Sequence, residues 1–410
     1  MNSLASSGAA RRLFAASVVA QLPLGMLGIG LMVHTQRLTG SFAAAGLVTG
    51  VYAITVGMGG PLLGRLVDRG SQTAVLLVSA GTEAALLAAA AMLPAHTSLA
   101  ILLALATGIG LATPPIGACL RAQLPALLPD PAALTGAYAL QTSLVELCWV
   151  CGPPLVLGLG ALWSTGGALA VSGLILVVAT AAFAAQPASR ARRPQLPVGT
   201  RRGGALATPA MRTLTVLLLG VGLLLGADEV AVTATAKAIA GSTAAAAPLL
   251  ALWGAGSFAG GLVLARLGGA RNAIALVLLL SALTVGHLAL IPAAGTIAAL
   301  GAVLFVAGSA IAPTEATANA MVEDAAPAGT ITQAFAWLAA AMDVGGAGGA
   351  AVAGLVVDGA GASAAFALAA AAGALATLIA IVRRRTLTQD TKTFRLGDDA
   401  SGGAPCRSAS

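Results

Sequence analysis

Long apolar runs, each about the length that crosses a bilayer, follow one another along almost the whole chain. A helix needs about 20 predominantly apolar residues to cross the hydrocarbon core of a membrane, since it rises only about 1.5 Å per residue. Twelve runs meet this length, and they lie at roughly 13–35, 43–64, 72–93, 98–119, 133–160, 164–186, 213–236, 244–265, 273–292, 296–316, 330–357 and 361–382. The pattern therefore predicts an all-α membrane protein with twelve transmembrane helices.

The composition supports a membrane protein and excludes several other classes. Charged residues make up 9% of the chain and apolar residues 58%, whereas charged residues make up about 25% of a soluble domain. A soluble enzyme or a disordered chain would need far more charge. Aromatic residues make up only 3%, which leaves few surfaces for stacking bases. No nucleic-acid partner is therefore expected, despite a net charge of +7.

The motifs of enzymes and of nucleotide sites are missing from the sequence. It holds no HExxH, no GxxxxGK[ST] and no GxSxG, and its three histidines are scattered. Cys148 and Cys151 form a CxxC in an apolar run with no histidine nearby, so helix packing is favoured over metal or redox use. We therefore expect a protein that is not an enzyme and binds no metal or organic cofactor.

Lysine and arginine residues lie almost entirely on one side of the predicted membrane. If the N-terminus is inside, 19 of the 21 fall in cytoplasmic segments, and only Arg37 and Lys237 fall outside. Cytoplasmic loops of membrane proteins carry such an excess, so both termini are predicted to be cytoplasmic. This count places Arg121 in the loop after the fourth span. Abundant alanine, and arginine in place of lysine, favour a bacterial cytoplasmic membrane as the location.

One long polar connection divides the chain into two halves. It is rich in proline, glycine and arginine and has no hydrophobic period, which is typical of a loop. The predicted organisation is an N-terminal six-helix bundle (1–186), a basic cytoplasmic linker (187–211), a C-terminal six-helix bundle (212–385) and a disordered cytoplasmic tail (386–410). The expected role of the linker is that of a tether and a topology signal.

The two halves repeat one another weakly. Residues 136–154 align with residues 333–351 at an offset of 197, and this alignment places Glu146 on Asp343. Further matched pairs are Tyr138 with Phe335, Gly152 with Gly349, Tyr52 with Trp253, and Pro114 with Pro313. Such repeats are typical of transporters in which the substrate site lies between the halves.

These features together resemble the major facilitator superfamily. Besides the twelve spans, the two similar halves and the basic linker, the segment GRLVDRG (64–70) is similar to the loop signature of that family between helices two and three. Gly152-Pro153 in the fifth span resembles the end of a signature of the family's drug–proton antiporters, although Ser143 and Cys148 replace its upstream glycines. The resemblance implies two six-helix bundles that rock around a central cavity.

Acidic residues within the spans are the main candidates for function. An ionised side chain at the centre of a bilayer costs on the order of 3 kcal/mol, so such residues usually face a wet cavity or a partner. The resemblance implies that helices five, seven and eleven line the cavity, which makes Glu146, Asp343 and either Asp228 or Glu229 candidates for binding protons or substrate. Asp228 and Glu229 point about 100° apart on a helix, so at most one faces the cavity squarely. The structural alternative for each is a hydrogen bond to a neighbouring helix.

Three further ionisable residues are weaker candidates. Glu83 lies centrally in the third span, where a structural hydrogen bond is favoured over proton coupling. Glu315 is expected near the cytoplasmic end of the tenth span, where its side chain reaches the interface. His287 is interpreted as an isolated structural histidine.

The segment Gly64–Gly70 predicts a contact on the cytoplasmic side. The resemblance implies that Gly64, Arg65, Asp68 and Arg69 act as a conformational latch. We expect Asp68 to face the start of the eleventh span, because the free N–H groups at a helix N-terminus attract an anion. Thr330-x-x-Gln333 at that start is a capping-box pattern. The alternative is that the basic residues here are only a topology signal.

Glycine and proline predict close helix contacts and one bend. Gly152 and Pro153 are expected to bend the fifth span, since proline removes a backbone hydrogen bond. Small-residue patterns at Gly46-x-x-x-Gly50, Gly256-x-x-x-Gly260 and within 345–349 predict helix packing.

The function inferred from the sequence is secondary active export of a small amphipathic organic compound, such as an antibiotic or metabolite, by proton antiport and alternating access. No basic residue is predicted at mid-membrane, which argues against anionic substrates. An importer or uniporter of the same fold, and a membrane sensor that transports nothing, remain alternatives. The expected partners are a small-molecule substrate and membrane lipid, the coupling ion is a proton, and the chain is expected to be a monomer.

Overall fold

The computed structural model describes residues 8–128, 130–192, 204–241, 245–267 and 271–387. Over these residues it contains twelve helices that are long and apolar enough to cross a membrane, as the hydropathy pattern predicted. The predicted linker residues 193–203 and the predicted tail from residue 388 onward lie outside the described residues.

Six spanning helices form the N-terminal half. Their bounds are α1 (Gly8–Thr39), α2 (Phe42–Arg69), α3 (Gln72–Ala91), α4a (Leu99–Ala112) with α4b (Ile116–Leu127), α5 (Pro131–Leu162) and α6 (Thr165–Ala184). A short helix, Pro187–Arg190, follows α6. Within this half, α1 packs on α5 and α6, and α3 packs on α4a and α6.

Six spanning helices also form the C-terminal half. Their bounds are α7 (Pro209–Ala240), α8 (Ala246–Leu267), α9a (Ala273–Leu288) with α9b (Leu290–Ala293), α10a (Ile297–Gly308) with α10b (Ile311–Ala320) and α10c (Val322–Ala325), α11 (Ile331–Ala360) and α12 (Ala362–Val382). Here α7 packs on α11 and α12, and α8 packs on α10a.

Most spans begin at a polar side chain that caps the helix. The cap accepts a hydrogen bond from a backbone N–H three residues later, which satisfies a group that has no partner within the helix. The capping residues are Ser41, Ser71, Asp130, Ser164, Thr208, Asn272 and Thr296. These residues mark where the chain enters the membrane.

The fourth and tenth spans are both interrupted near the matched prolines Pro114 and Pro313. In the fourth span the break covers 113–115, where Pro114 and Pro115 remove two backbone donors. In the tenth span the break covers 309–310. After each break the helix resumes, so these spans run to Leu127 and Ala325. The predicted ends at 119 and 316 are therefore wrong.

Two side chains move into the membrane as a result of these longer spans. Arg121 lies in the second turn of α4b and not in a cytoplasmic loop. Glu315 lies in the second turn of α10b, ten residues before the end of its span. The sequence interpretation of both residues is corrected accordingly.

Close backbone approaches occur at some of the predicted small-residue patterns. Gly256 and Gly260 of α8 pack against the backbone of Phe305 and Ser309. Gly152 of α5 packs against the backbone of Gly25 on α1, so this glycine has a packing role. Pro153 lies inside the continuous helix α5. Gly345 and Gly349 of α11 meet α7, whereas Gly46 and Gly50 have no neighbour within 4 Å, so the packing prediction is wrong for that pair.

Candidate transport site between the two halves

The two halves meet along α2 and α11 at a row of glycines. Gly57, Gly60 and Gly64 lie one helical turn or less apart, and each faces α11. The approach is tightest at Gly64, where an added Cβ atom would lie 3.0 Å from the Cα atom of Gln333. At Gly60 an added Cβ would lie 3.9 Å from the Cβ of Ala336, which is an ordinary contact. The seam is therefore closest at the end that carries the linker.

Asp68 caps the first turn of α11 across this seam. Its Oδ1 accepts a hydrogen bond from Thr332 N at 3.1 Å, and its Oδ2 accepts one from Gln333 N at 2.9 Å. The side chain is nearly fully buried, with a relative exposure of 3%. A carboxylate at a helix N-terminus is held by free N–H groups and by the positive end of the helix dipole. This contact is the one expected from the sequence.

Arg192, just after the short helix Pro187–Arg190, joins the same contact. Its Nη2 lies 3.1 Å from Asp68 Oδ1 and donates to Thr332 Oγ1 at 2.7 Å. A backbone N–H on the other described side of the linker also takes part, since Ala205 N donates to Gln333 Oε1 at 3.1 Å. The described linker residues therefore do more than tether the halves: they bond to both of them.

Other parts of the predicted latch are arranged differently. Thr330 makes no side-chain cap on α11, because its hydroxyl donates to Pro327 O at 2.7 Å. The capping-box prediction is therefore wrong, and Asp68 takes the place of the cap. Arg65 and Arg69 are exposed and take part in none of these contacts. Arg192, which the sequence analysis did not single out, supplies the basic partner.

A second seam joins α5 to α8 on the same side of the protein. Gly136 packs against the backbone of Ala265, and Gly261 packs against Ser143. Near this seam the matched pair Tyr138 and Phe335 are in ring contact, with centroids 5.8 Å apart. Hydrogen bonds of Asp68, Arg192 and Ala205 join the halves at the linker side, and deeper in the interface Glu146 of α5 lies beside Ser257 of α8. The structure is therefore closed toward the linker side, which the lysine and arginine distribution assigns to the cytoplasm.

Ionisable side chains from both halves converge in the middle of the interface. Glu146 of α5 and Asp343 of α11 both belong to this group, as their equivalent repeat positions suggested. Glu315 of α10b interacts electrostatically with both of them and with Arg121 of α4b. Arg121 in turn interacts with Asp343. We call these four residues the central cluster: Arg121, Glu146, Glu315 and Asp343.

The central cluster is accessible and loosely paired. The side chain of Asp343 is exposed, and those of Arg121, Glu146 and Glu315 are half-buried. Arg121 donates through Nε to Gln141 Oε1 at 2.7 Å, and it forms no ion pair within 4 Å among the described residues. A neutral amide thus holds the Arg121 side chain in place, and its positive charge is not neutralised by a direct ion pair with the acids around it.

Two members of the central cluster were misjudged from the sequence. Arg121 was counted as a loop residue, and Glu315 was expected at the interface. The sequence did contain a signal for the longer spans. Pro114 and Pro313 match in the repeat, and a proline can interrupt a span that then continues beyond it. The sequence argument against anionic substrates assumed that no basic residue lies within the spans. Arg121 lies within a span, so that argument no longer holds.

Asp228 and Glu229 of α7 point to different environments, as their spacing predicted. Asp228 is completely buried within the C-terminal half, and Glu229 is exposed. Neither forms an ion pair with Lys237. Asp228 Oδ2 lies 3.7 Å from His287 Nε2 of α9a. His287 is therefore not isolated, in contrast to its sequence interpretation.

Glu83 of α3 is buried inside the N-terminal half, with a relative exposure of 1%. It lies beside Thr113 and interacts electrostatically with Tyr52 of α2. One of its carboxylate oxygens and the Tyr52 hydroxyl have no hydrogen-bond partner. Glu83 is thus separate from the central cluster.

No cluster of three or more His, Cys, Asp or Glu side chains close enough to hold a metal ion occurs over the described ranges. The acids of the central cluster therefore share a space without forming a metal-ligand set. This spacing suits the binding of protons or of an organic ion.

Solved structures with the same architecture include transporters. The human organic anion transporter MFSD10 (TETRAN) matches with a TM-score of 0.69 and 17% identity, over 90% of this chain and 98% of that one. A bacterial homologue of the iron transporter ferroportin, in an outward-facing state with soaked iron, matches with a TM-score of 0.70 and 12% identity, over the same shares. At these identities the likeness shows the fold alone. No curated protein sequence matches the chain.

The sequence itself also matches a family model. The match spans residues 13–327, which is most of the chain, and the model describes the Major Facilitator Superfamily. The twelve spans, the interrupted fourth and tenth helices and the two bundles that meet at a central cluster agree with this match. The chain belongs to the Major Facilitator Superfamily of membrane transporters.

Proposed function

We propose that this transporter exports a small amphipathic organic compound, such as an antibiotic or metabolite, in exchange for protons across a bacterial cytoplasmic membrane. The observation that carries the proposal is the central cluster. Three carboxylates and one guanidinium lie between the halves, in a region that is closed on the linker side and exposed at Asp343. Carboxylates that face a cavity between the halves can take up and release protons as access to that cavity alternates.

The charges of the central cluster favour a substrate that carries a positive charge. Three acids around one arginine leave a formal excess of two negative charges when all are ionised. A cation and protons would then compete for the same carboxylates, which is the simplest basis for exchange. Arg121 adds an anchoring point for an acceptor group on the same molecule, since its guanidinium has several free donors.

An anionic substrate is the second candidate, because Arg121 lies inside the membrane span. The fold of MFSD10, described as an organic anion transporter, is compatible with it, although the likeness is one of fold alone. In this case Arg121 would bind the anion and the acids would serve only as proton sites. An importer, a uniporter and a sensor that transports nothing are the remaining alternatives.

The test uses everted membrane vesicles energised by respiration, in which the internal pH is followed while cationic, neutral and anionic compounds are added in turn. A substrate of a proton antiporter releases protons from the vesicle. We expect release with cationic or neutral compounds, loss of release in Glu146→Gln and Asp343→Asn, and retention in Asp358→Asn. Asp358 is a matched control, because it is an exposed acid on the same helix as Asp343 but lies four turns farther along.

Each outcome of the vesicle test has a clear meaning. Release by anions alone that is lost in Arg121→Gln would favour the second candidate. Full release in both acid variants would eliminate the central cluster as the proton site. No response to any compound, with folded protein present in the membrane, would overturn the proposal of antiport.

A further inference from the structure

The C-terminal half contains a buried group of polar side chains that the central cluster does not use. Asp228 of α7, Trp253 of α8 and His287 of α9a come from three different helices and meet inside this bundle. Asp228 and His287 both have a relative exposure of 0%. Neither oxygen of Asp228 has a hydrogen-bond partner. A buried carboxyl group without partners is rare, because burying it costs free energy that nothing repays.

The hydrogen bonds of His287 fix which of its nitrogens carries a proton. Nδ1 lies 2.7 Å from Leu283 O, a group that only accepts, so Nδ1 bears the hydrogen. Nε2 accepts a hydrogen bond from Trp253 Nε1 at 3.3 Å, so it offers its lone pair. His287 is therefore neutral in this arrangement. Asp228 Oδ2, at 3.7 Å from the same Nε2, is just beyond hydrogen-bond distance.

Two groups therefore compete for one lone pair. A proton placed on Asp228, or on Nε2 itself, would form a hydrogen bond between Oδ2 and Nε2. Nε2 has a single lone pair, so this bond would displace the Trp253 N–H. The step is a simple acid–base one, in which a proton from water binds to the pair and no other bond is exchanged.

Trp253 lies against the break in the tenth span. Gly308, the last residue of α10a, packs against the backbone carbonyl and the ring of Trp253. The break at 309–310 follows at once, and α10b beyond it carries Glu315 of the central cluster. The Trp253 ring therefore contacts the end of α10a next to the break. A movement of this ring would act on the break and on α10b, which carries Glu315.

The N-terminal half shares one part of this arrangement, at the repeat match of Trp253. Tyr52 is the repeat match of Trp253, and its backbone packs against Gly110 near the end of α4a. Its hydroxyl lies near Glu83 and near Thr113, at the start of the break in the fourth span. An aromatic donor beside a buried ionisable side chain therefore adjoins both interrupted helices.

We propose that Asp228 and His287 form a proton-binding pair inside the C-terminal bundle, and that Trp253 transmits its occupancy to the break in α10. This inference rests on the proposed proton coupling and places a second proton site away from the substrate cavity. Charged groups on the surrounding helices point elsewhere. Glu315 and Asp343 belong to the central cluster, and α9a, α10a and α12 carry no other Asp, Glu, Lys or Arg. The remaining charged residues of α7, α8 and α11 are exposed: Arg212, Glu229, Lys237, Arg266 and Asp358.

The test is a pH titration of Trp253 fluorescence in protein reconstituted into nanodiscs. The other three tryptophans (Trp149, Trp163 and Trp337) are replaced by phenylalanine, so that only Trp253 emits. A protonated imidazole quenches a neighbouring indole, and displacement of the N–H changes its emission. We expect a pH-dependent transition in the Trp253 emission, and its loss in both Asp228→Asn and His287→Gln.

Two matched controls separate this pair from other groups. His34→Gln removes the buried histidine of the N-terminal half, and Asp358→Asn removes an exposed acid of α11 outside the central cluster. Both should keep the Trp253 transition. The single-tryptophan protein with the native pair is decisive by itself if the variants fail to fold: a flat profile there would overturn the inference, as would a transition that persists in both pair variants.

The outcome is also independent of the transport assay. A Trp253 transition without proton release in vesicles would support the buried proton site and reject antiport. Proton release without a Trp253 transition would support antiport and reject the buried site.

Discussion

The interface between the two halves has two regions that differ in how closely their charged side chains are paired. At the linker side, Asp68 is buried and held by two backbone N–H groups and by Arg192. In the middle, Arg121 and the acids around it interact without a single ion pair within 4 Å among the described residues. Tightly paired charges stabilise one arrangement, whereas loosely paired charges remain free to bind a ligand or proton. The first region therefore holds the linker side closed, and the second supplies the charges on which the proposed exchange depends.

One assay compares the two regions. Spin labels on Ala126 and Arg266, both exposed and on the linker side of opposite halves, report the distance across the closed face by electron paramagnetic resonance. The labels require a background in which the four native cysteines are replaced by serine. The measured quantity is the ratio of open to closed populations at the linker side. The predictions follow from the largest expected change in this ratio to the smallest.

Asp68→Asn should open the linker side most. The change removes a charge that is bound to the start of α11 and leaves the half-buried Arg192 with Thr332 Oγ1 as its remaining partner in this contact. Breaking such a buried pair costs about 3 kcal/mol, which is roughly a hundredfold change in the ratio. Asp324→Asn is the control, since Asp324 is half-exposed on the same side and bonds only to Arg271. Equal ratios in the two variants would contradict a latch at Asp68.

Gly64→Ala should have the next largest effect. The added methyl group would lie 3.0 Å from the Gln333 backbone, which cannot yield easily. Overpacking of this kind costs about 2 kcal/mol, or roughly thirtyfold in the ratio. Gly60→Ala on the same helix has 3.9 Å of room and should leave the ratio unchanged. Opening in both variants would show that helix propensity, and not the close approach, is responsible.

Arg192→Gln should open the linker side to a smaller extent. Asp68 keeps its two backbone donors in this variant and loses only the guanidinium. A hydrogen bond to a charged group contributes about 1.5 kcal/mol, which is roughly tenfold in the ratio. Arg190→Gln, two residues earlier and exposed, serves as the control. An unchanged ratio of open to closed populations in Arg192→Gln would contradict a role of Arg192 in holding the linker side closed.

Glu315→Gln should change the ratio least. It belongs to the central cluster and touches none of the linker-side bonds. The ratio should stay within about twofold, or roughly 0.4 kcal/mol, while proton release in vesicles falls as it does for Glu146→Gln. A large opening in Glu315→Gln would show that the two regions are not separable, and the comparison would fail.

The sequence predicted the fold well because hydropathy is averaged over a whole span. A run of about 20 apolar residues remains recognisable even when several of its boundaries are wrong. The contact of Asp68 was also within reach, since it follows from a local segment and a helix start. Its basic partner was not, because Arg192 belongs to the polar connection between the halves, where no hydrophobic period indicates which way a side chain points.

The central cluster was only half predictable, and the reason is physical. Glu146 and Asp343 lie in uninterrupted apolar helices, so their depth can be read from sequence. Arg121 and Glu315 follow breaks, and a break followed by a charge looks like the end of a span. The pairing of Asp228 with His287 depends on how α7 and α9a pack, which no local pattern records.

The interrupted spans also bear on how the protein enters the membrane during synthesis. The segments α4b and α10b have 12 and 10 residues, about half of what is needed to cross, and each carries a charge. Neither is apolar enough to settle alone in lipid. The hydrogen-bond partner of Arg121, Gln141, is synthesised only with the next helix, whereas the opposite charge near Glu315, Arg121, is already present when α10 is made. The translocon would therefore hold α4 until α5 emerges, and the N-terminal half would act as a template for the insertion of α10.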